Sequence, residues 1–494
     1  MAAIKILSLA QLKGIKQPIA AISGRSSSRV DFISILHLVL LVALCAVLYF
    51  PYLGSTPFFD KGEPREALAV QDILQRGDWA FPLKRAEIIP SKPPLFHWTA
   101  ALMSRLTGTL NEATVRFPSA LYATLGVLLV YCLARKLFSG PVALLSGAIL
   151  ATTLVYENQA LNARVDMTLT FFVTLSLVLF YAIYRAFLIH PVWYYAFYAV
   201  SGLGMLAKGP LGILLPALVI AAFLTVRREW NWMIKFGFHP GLILTLLIGL
   251  GWYSLAITRG GEGFYQRQIV QDNWARFFGG SGHSKSLYYY VSYLFIQGLP
   301  WSIFLPCVAW DSFKKGFFSD SGTVFFKVWL LAMFVFLSRS SGKRPVYLLP
   351  LYPALSVLMA AWFYQDEVES RARLILYRSF AVLAGLIGFT LLIAVLDAAW
   401  NHDSGWLFEL IEGLFQPKDR VSLMLVKNSL TTLAWPFTMV VLLSAVLWFY
   451  LAQRLWVGQL RSGAQCSLFL TSSSASPSGQ RGFLRSYPLW VLWF

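Results

Sequence analysis

Charge is the scarcest commodity in this sequence. Only 13% of its 494 residues are Asp, Glu, Lys or Arg, against about 25% in an ordinary soluble domain. That excludes a chain whose surface faces water over most of its extent. Cysteine is rare as well. Cys45, Cys132, Cys307 and Cys466 stand far apart, with neither metal spacing nor a disulfide framework, so sulfur chemistry organises nothing here. No internal repeat is visible, which removes one common mark of transporters built from duplicated halves. What fills the chain instead is apolar: 57% of the residues are hydrophobic and 16% aromatic.

The apolar residues come in runs, approximately 34–50, 115–134, 141–157, 167–185, 192–207, 209–226, 240–257, 288–310, 323–338, 346–365, 376–396 and 432–452. Each is long enough, or nearly so, to cross a bilayer as a helix. The expected fold class is an all-α polytopic membrane protein of about twelve spans (11–13). The formal net charge of +18 then points to loops on the cytoplasmic side, not to nucleic acid. Lys5, Lys13, Lys16, Arg25 and Arg29 precede the first run. Every second loop thereafter carries a basic cluster: Arg135 and Lys136, Arg185, Arg227 and Arg228, Lys314 and Lys315, Arg371 and Arg373, Arg454 and Arg461. This alternation predicts a cytoplasmic N-terminal segment 1–33, a membrane domain 34–453 and a cytoplasmic low-complexity tail 454–494. It also places the long loops 51–114 and 258–287 on the extracytoplasmic face.

The first of those loops opens with "FFDKGEPREALAVQDILQRGDW", a dense patch of charge beside a membrane span. Its apolar residues recur near helical spacing and Gly77 is a plausible stop, so an interfacial amphipathic helix is expected. "PLFHWTAALMSRLTG", residues 94–108, reads as a second one. The same face carries Lys92, Arg116, Arg164, Lys208, Arg267, Arg276, Arg339, Lys343 and Arg344, which the positive-inside pattern does not predict. Lys208 lies between two apolar runs, where an uncompensated cation costs roughly 2.5–3.5 kcal/mol. A phosphate ligand at the membrane surface would offset such charges. Snorkelling to lipid head groups is the plainer reading for any one of them. Three acids stand near: Asp60 and Glu63 in the first stretch, and Asp166 where a span begins. An acid at a helix N-terminus can simply cap it, so for Asp166 capping and catalysis both stay open.

The ordered motifs "GEPREALAVQDILQRGDWAFP", "SKPPLFHW", "ARVDMTLTFF", "LAKGPLGILLP", "WYSLAITRGGEGFYQRQIVQDNWARFFGGSGHSKSLYYY", "LPWSIFLP" and "GKRPVYLLPLYPALS" resemble one family. It is that of the bacterial aminoarabinose-transferase-like and protein O-mannosyltransferase-like integral membrane glycosyltransferases. The resemblance runs over roughly residues 34–360 and implies a GT-C-type helical bundle. It implies transfer of a sugar from a polyprenyl-phosphate carrier to a lipid, glycan or protein acceptor, at the extracytoplasmic face of a bacterial inner membrane. The bilayer, the carrier-linked sugar and that acceptor are the implied partners.

Carried onto this sequence, the resemblance makes Lys92, Lys208, Arg276 and Lys343 phosphate binders, with Tyr347 beside them. Glu63 becomes the general base or acceptor-positioning group, with Asp166 and Asp60 as further candidates. Two departures bear on this. The family often carries an Asp-Glu pair where this chain has Gly62-Glu63. An acid often precedes the lysine at position 92, where this chain has Ser91. His283 matches a family histidine that can bind a divalent metal, but one histidine without that acid falls short of the usual ligand count; the need for a metal stays open. A transporter or flippase, or a non-catalytic binder of an anionic lipid-linked sugar, is the alternative reading.

Overall fold

The computed structural model describes residues 32–58, 62–83, 92–266, 270, 286, 288–314, 316–317, 322–340, 342–364, 389 and 393. The chain divides into two units, Met1–Gln365 and Asp366–Phe494, and nearly all of the described residues lie in the first. The run expected at 432–452 falls outside them, as do all but residues 389 and 393 of the run expected at 376–396, residues 1–31 of the expected segment 1–33, and the expected segment 454–494.

The first unit is helical, with no strand among the described residues. The first apolar run forms α1 (Phe32–Tyr49). The two amphipathic stretches form α2 (Glu63–Arg76) and α3 (Leu95–Thr107), each closed by a glycine in the left-handed region, Gly77 and Gly108. Glycine tolerates that conformation without a Cβ penalty and so ends the helix. α4 (Glu112–Leu137) starts on a capping box: Thr114 N–H donates to Asn111 Oδ1 and Asn111 N–H donates to Thr114 Oγ1. Two backbone donors that would otherwise be orphaned are thereby satisfied. α7 (Val165–Tyr184) is the hub. Most of its side chains are buried, and it packs on α4, on α8 (Val192–Lys208) and on α9 (Leu211–Arg227). A helix apolar on every side is stable only in such surroundings.

Two expected spans are not continuous. The run at 141–157 is split into α5 (Gly140–Ala151) and α6 (Leu154–Ala160), bent by 63°. The run at 288–310 is split into α12 (Tyr289–Gln297), a short 3-10 turn and α13 (Leu305–Lys314), bent by 118°. The two breaks meet. Leu154 N–H donates to the Leu299 carbonyl at 2.9 Å, and Trp301 Nε1 donates to Thr152 Oγ1 at 2.9 Å. Broken backbone at membrane depth is tolerated only where protein groups satisfy it, and each break serves the other. Five described helices are long and apolar enough to span singly, or seven if each bent pair counts as one. α14 (Val324–Arg339), which packs on α9, and α15 (Tyr352–Phe363), which packs on α5, complete the bundle.

Two local devices fix the site. The first is the α8–α9 hairpin. It turns at Lys208, Gly209 and Pro210, with Gly209 at φ +86°. The helices approach so closely that a Cβ on Gly212 would lie 2.0 Å from the Gly204 carbonyl carbon. The second is the strap at residues 78–83, pinned to α10 (Trp230–Gly237)'s neighbour α11 (Gly241–Phe264). Trp252 Nε1 donates to the Ala80 carbonyl at 2.7 Å, Phe81 packs among Trp252, Tyr253 and Phe264, and Arg259 Nη1 binds Asp78 at 2.8 Å. Burial works to raise the Asp78 carboxyl. The Phe81 and Ala80 N–H groups and Arg259 outweigh it and hold the group below its ordinary value.

Two outcomes follow from these devices. Gly212→Val drives a side chain into backbone that cannot yield, so the solubilised protein should melt earlier, by a loss of about 1–3 kcal/mol; an unchanged melting temperature would contradict the close approach. Because Asp78 is depressed in the folded state, its contribution is present above the ordinary carboxylate range and is lost as pH falls below about 4. Asp78→Asn should therefore lower stability at neutral pH and flatten its acid dependence, as read by thermal denaturation across pH.

Candidate active site

A cavity of about 110 Å³ opens where the N-terminus of α7, the C-terminus of α8, α2 and the segment after Arg339 converge. Its wall includes Lys92, Arg164, Lys208 and Arg344, and the carboxylates of Glu66 and Asp166. The lining thus carries two more cations than carboxylates. Tyr347 and Val346 close it on one side. A narrower cleft of about 20 Å³ shares Asp166, Lys208 and Tyr347 and is lined further by Leu211, Leu215, Leu337 and Pro350. The first is lined mainly by charged groups and the second mainly by hydrocarbon.

Lys208 is the junction. As the last residue of α8 it sits where the helix dipole favours a cation, and the glycine-proline turn aims it back at α7. There its ammonium binds Asp166 Oδ1, and both side chains are largely buried. The ammonium also lies 4.5 Å from the centre of the Tyr347 ring, a distance at which a ring face attracts a cation. The ring is presented by a 3-10 turn, Pro345–Leu351, which begins from the extended backbone of Arg344. Tyr290, buried at the start of α12, receives the Arg344 N–H and donates to the Arg344 carbonyl, at 3.2 and 3.1 Å. The whole segment is therefore held in place by backbone contacts.

The sequence-derived candidates separate into three groups. Lys92, Asp166, Lys208 and Tyr347 share the cavity. Asp60, Arg276 and His283 lie outside the described residues. Glu63 and Lys343 are not among the residues that line it. Glu63 is fully buried. Its two oxygens receive Nε and Nη2 of Arg116 at 2.8 and 2.9 Å, and Oε1 also receives the Ala163 N–H at 2.9 Å. Arg116 further donates to the carbonyls of Leu53, Thr56 and Pro57. The pair ties α2, α4, the turn after α1 and the lead into α7 into one corner, so the geometry gives Glu63 a structural post and leaves it off the cavity wall. Lys343 is buried away from the wall. In extended backbone neighbouring side chains point to opposite sides, and it is Arg344 that faces the cavity.

Glu66, Arg164 and Arg344 were not singled out as site residues by the sequence reading. Glu66 had a signal: it follows Glu63 by less than one helical turn, on the face that an amphipathic helix turns inward. Arg164 has a structural cause. A Cβ on Gly62 would lie 2.1 Å from Arg164 Nη1, so the missing side chain at position 62 makes room for the guanidinium. The departure at Gly62 thus exchanges an acid for access by a cation.

Among the described residues no three His, Cys, Asp or Glu side chains come together as a metal site. The cavity's carboxylates are hydrogen-bonded or ion-paired to protein groups.

The corner at Glu63 carries its own test. Removing one partner of a buried ion pair costs about 3–5 kcal/mol, because the other charge is stranded. Glu63→Gln should give protein that melts far below wild type and is recovered poorly in monodisperse form. A variant with wild-type melting and abolished chemistry would return Glu63 to a catalytic role.

Residues 91–253 match the sequence profile of the dolichyl-phosphate-mannose-protein mannosyltransferases. Among curated proteins, an undecaprenyl phosphate-alpha-4-amino-4-deoxy-L-arabinose arabinosyl transferase of Pseudomonas fluorescens is 29% identical over 359 residues, covering 72% of this chain and 64% of that one. Its counterpart in Pseudomonas aeruginosa is 32% identical over 330 residues, covering 65% and 58%. The chain thus spans somewhat less than two thirds of the length of these relatives. Among solved structures, ArnT from Cupriavidus metallidurans bound to undecaprenyl phosphate superposes with a TM-score of 0.65 at 25% identity, covering 85% of this chain and 75% of that one. By sequence over these stretches and by fold, the chain is similar to the GT-C glycosyltransferases.

Proposed function

We propose that this protein transfers a glycosyl group from a polyprenyl-phosphate-linked donor to an acceptor at the extracytoplasmic face of a bacterial inner membrane. The observation that carries the reading is a pair of adjoining spaces, a cationic chamber and a small apolar cleft, that share Asp166, Lys208, Val346 and Tyr347. A lipid phosphate needs both ends at once. The isoprenoid tail has an apolar bed beside Leu211 and Leu215, and the phosphate meets Lys92, Lys208 and Arg344. Arg276, outside the described residues, remains a candidate for the same task through its family motif.

The charge balance fits the reaction. In the donor the carrier phosphate is a diester with one negative charge. When the bond from the anomeric carbon to the phosphate oxygen breaks, the electron pair stays on the phosphate and the charge grows toward two. Preplaced cations stabilise that change most when water is excluded and no reorganisation is needed. Lys208, braced by Asp166 and Tyr347, is already oriented. The acceptor oxygen or nitrogen attacks the opposite face of the anomeric carbon and gives its proton to a carboxylate on the cavity wall. The size of the sugar and the nature of the acceptor belong to this proposal only as classes: a pentosyl or hexosyl unit, passed to a lipid such as lipid A, a glycan or a protein.

Two measurements check it. Mass spectrometry of envelope lipids and glycoproteins, from cells with and without the gene, should show one sugar mass that depends on it. Undecaprenyl phosphate should bind the purified protein, and Lys208→Met should weaken that binding about tenfold or more, the worth of one charged hydrogen bond. Lipid flux across the membrane with no sugar-bearing product would replace this reading with transport.

A further inference from the structure

We infer, independently of the glycosyl-transfer reading, that the end of the bundle opposite the chamber carries a site for an anionic phospholipid, built by Arg228, Lys235 and α10. α7, α8 and α9 fix its place. Asp166, Lys208 and Leu211 lie at one end of these helices, and Tyr184, Val192 and Arg227 at the other. The 17 residues of α9 span about 25 Å, most of the hydrocarbon thickness of a bilayer. α10 therefore begins at the membrane surface that the chamber does not face. Arg228 leads into it, closing α9 in the left-handed region at φ +56° although it is not a glycine. From Arg185 to Pro240, apart from Lys208 at the far end, the sequence sets Arg185, Arg227, Arg228 and Lys235 against a single acid, Glu229. That acid is already engaged: the Tyr184 hydroxyl donates to it at 2.8 Å, and Arg227 Nε lies 3.8 Å away.

Both halves of a lipid find a surface there. Trp230, Ile234 and Phe238 recur every fourth residue and are 54%, 60% and 86% exposed, so they form one apolar row that faces away from the protein. Phe236 anchors the other side. It is buried against the rings of Phe180 and Phe197, and its carbonyl accepts from the Tyr198 hydroxyl. A short helix divided in this way lies in the interface with its apolar row among acyl chains. The head group meets Lys235. Its ammonium lies 4.7 Å from the centre of the Tyr194 ring and 4.8 Å from that of Trp232. Those rings pack in turn on Phe236, at 5.4 and 6.0 Å between centres. Ring faces hold a cation without occupying its N–H donors as a carboxylate would. No carboxylate among the described residues pairs with Lys235 or with Arg228. The lysine is thus positioned while its donors stay available, which suits a phosphate diester arriving from the bilayer.

The test uses the purified full-length protein in detergent, with phosphatidylglycerol and phosphatidylcholine of the same acyl chains as probes and native mass spectrometry as the readout. Wild type should retain phosphatidylglycerol and lose phosphatidylcholine. Arg228→Gln combined with Lys235→Gln should weaken phosphatidylglycerol binding about 30-fold, from two basic residues at about fivefold each. Trp232→Leu keeps every charge but removes one wall of the lysine's seat, and should weaken binding about threefold. Lys136→Gln combined with Lys314→Gln removes cations at the ends of α4 and α13 and should bind within about twofold of wild type, because distant exposed charges are screened. Equal retention of the two lipids overturns the inference. An equal loss in the Lys136 and Lys314 pair also overturns it, by making the attraction one of diffuse charge. Displacement of the lipid by an equal concentration of a poly-glutamate peptide overturns it in favour of an acidic protein partner.

Discussion

A lysine at the end of an apolar helix must find its compensation within reach, and the architecture of this protein is arranged around that need. Lys208 is carried there by a hairpin whose two helices touch backbone to backbone at Gly204 and Gly212. Asp166 and the Tyr347 ring then meet the ammonium from α7 and from the turn after Arg344. Each partner belongs to a different element, so the cation gathers three parts of the bundle. In a medium of low effective dielectric such a cluster is strongly ordered. It also leaves the ammonium ready for a second, transient anion.

The remaining charged groups divide into those that build and those that act. Glu63 with Arg116 builds: the pair is sealed, saturated with hydrogen bonds and away from the cavity wall. Lys92, Arg164, Lys208 and Arg344 border open volume, where an anion of the right shape can approach. The contrast explains why the dense charge of the first loop serves two purposes. One turn of α2 contributes Glu63 to the framework and Glu66 to the chamber.

Much of this was legible in the sequence. Apolar runs marked ten of the described helical stretches, and the amphipathic spacing of 65–77 and 94–108 marked α2 and α3. Lys208, Asp166, Lys92 and Tyr347 could be read as neighbours because cations at membrane depth demand partners and the family motifs named them. Three things were not legible. The breaks inside 141–157 and 288–310 depend on a tertiary contact, Leu154 to Leu299, that no local pattern contains. The choice of Arg344 over Lys343 is a matter of which side of an extended segment faces inward. The place of Glu63 in the framework turns on Arg116, fifty-three residues away in the chain.

The most direct measurement is an experimental structure of the full-length protein with undecaprenyl phosphate bound. The account predicts the phosphate between Lys92, Lys208 and Arg344, with the first isoprene units against Leu211 and Leu215. A phosphate seated outside that chamber, with the Asp166–Lys208 pair untouched and the apolar cleft empty, would contradict it.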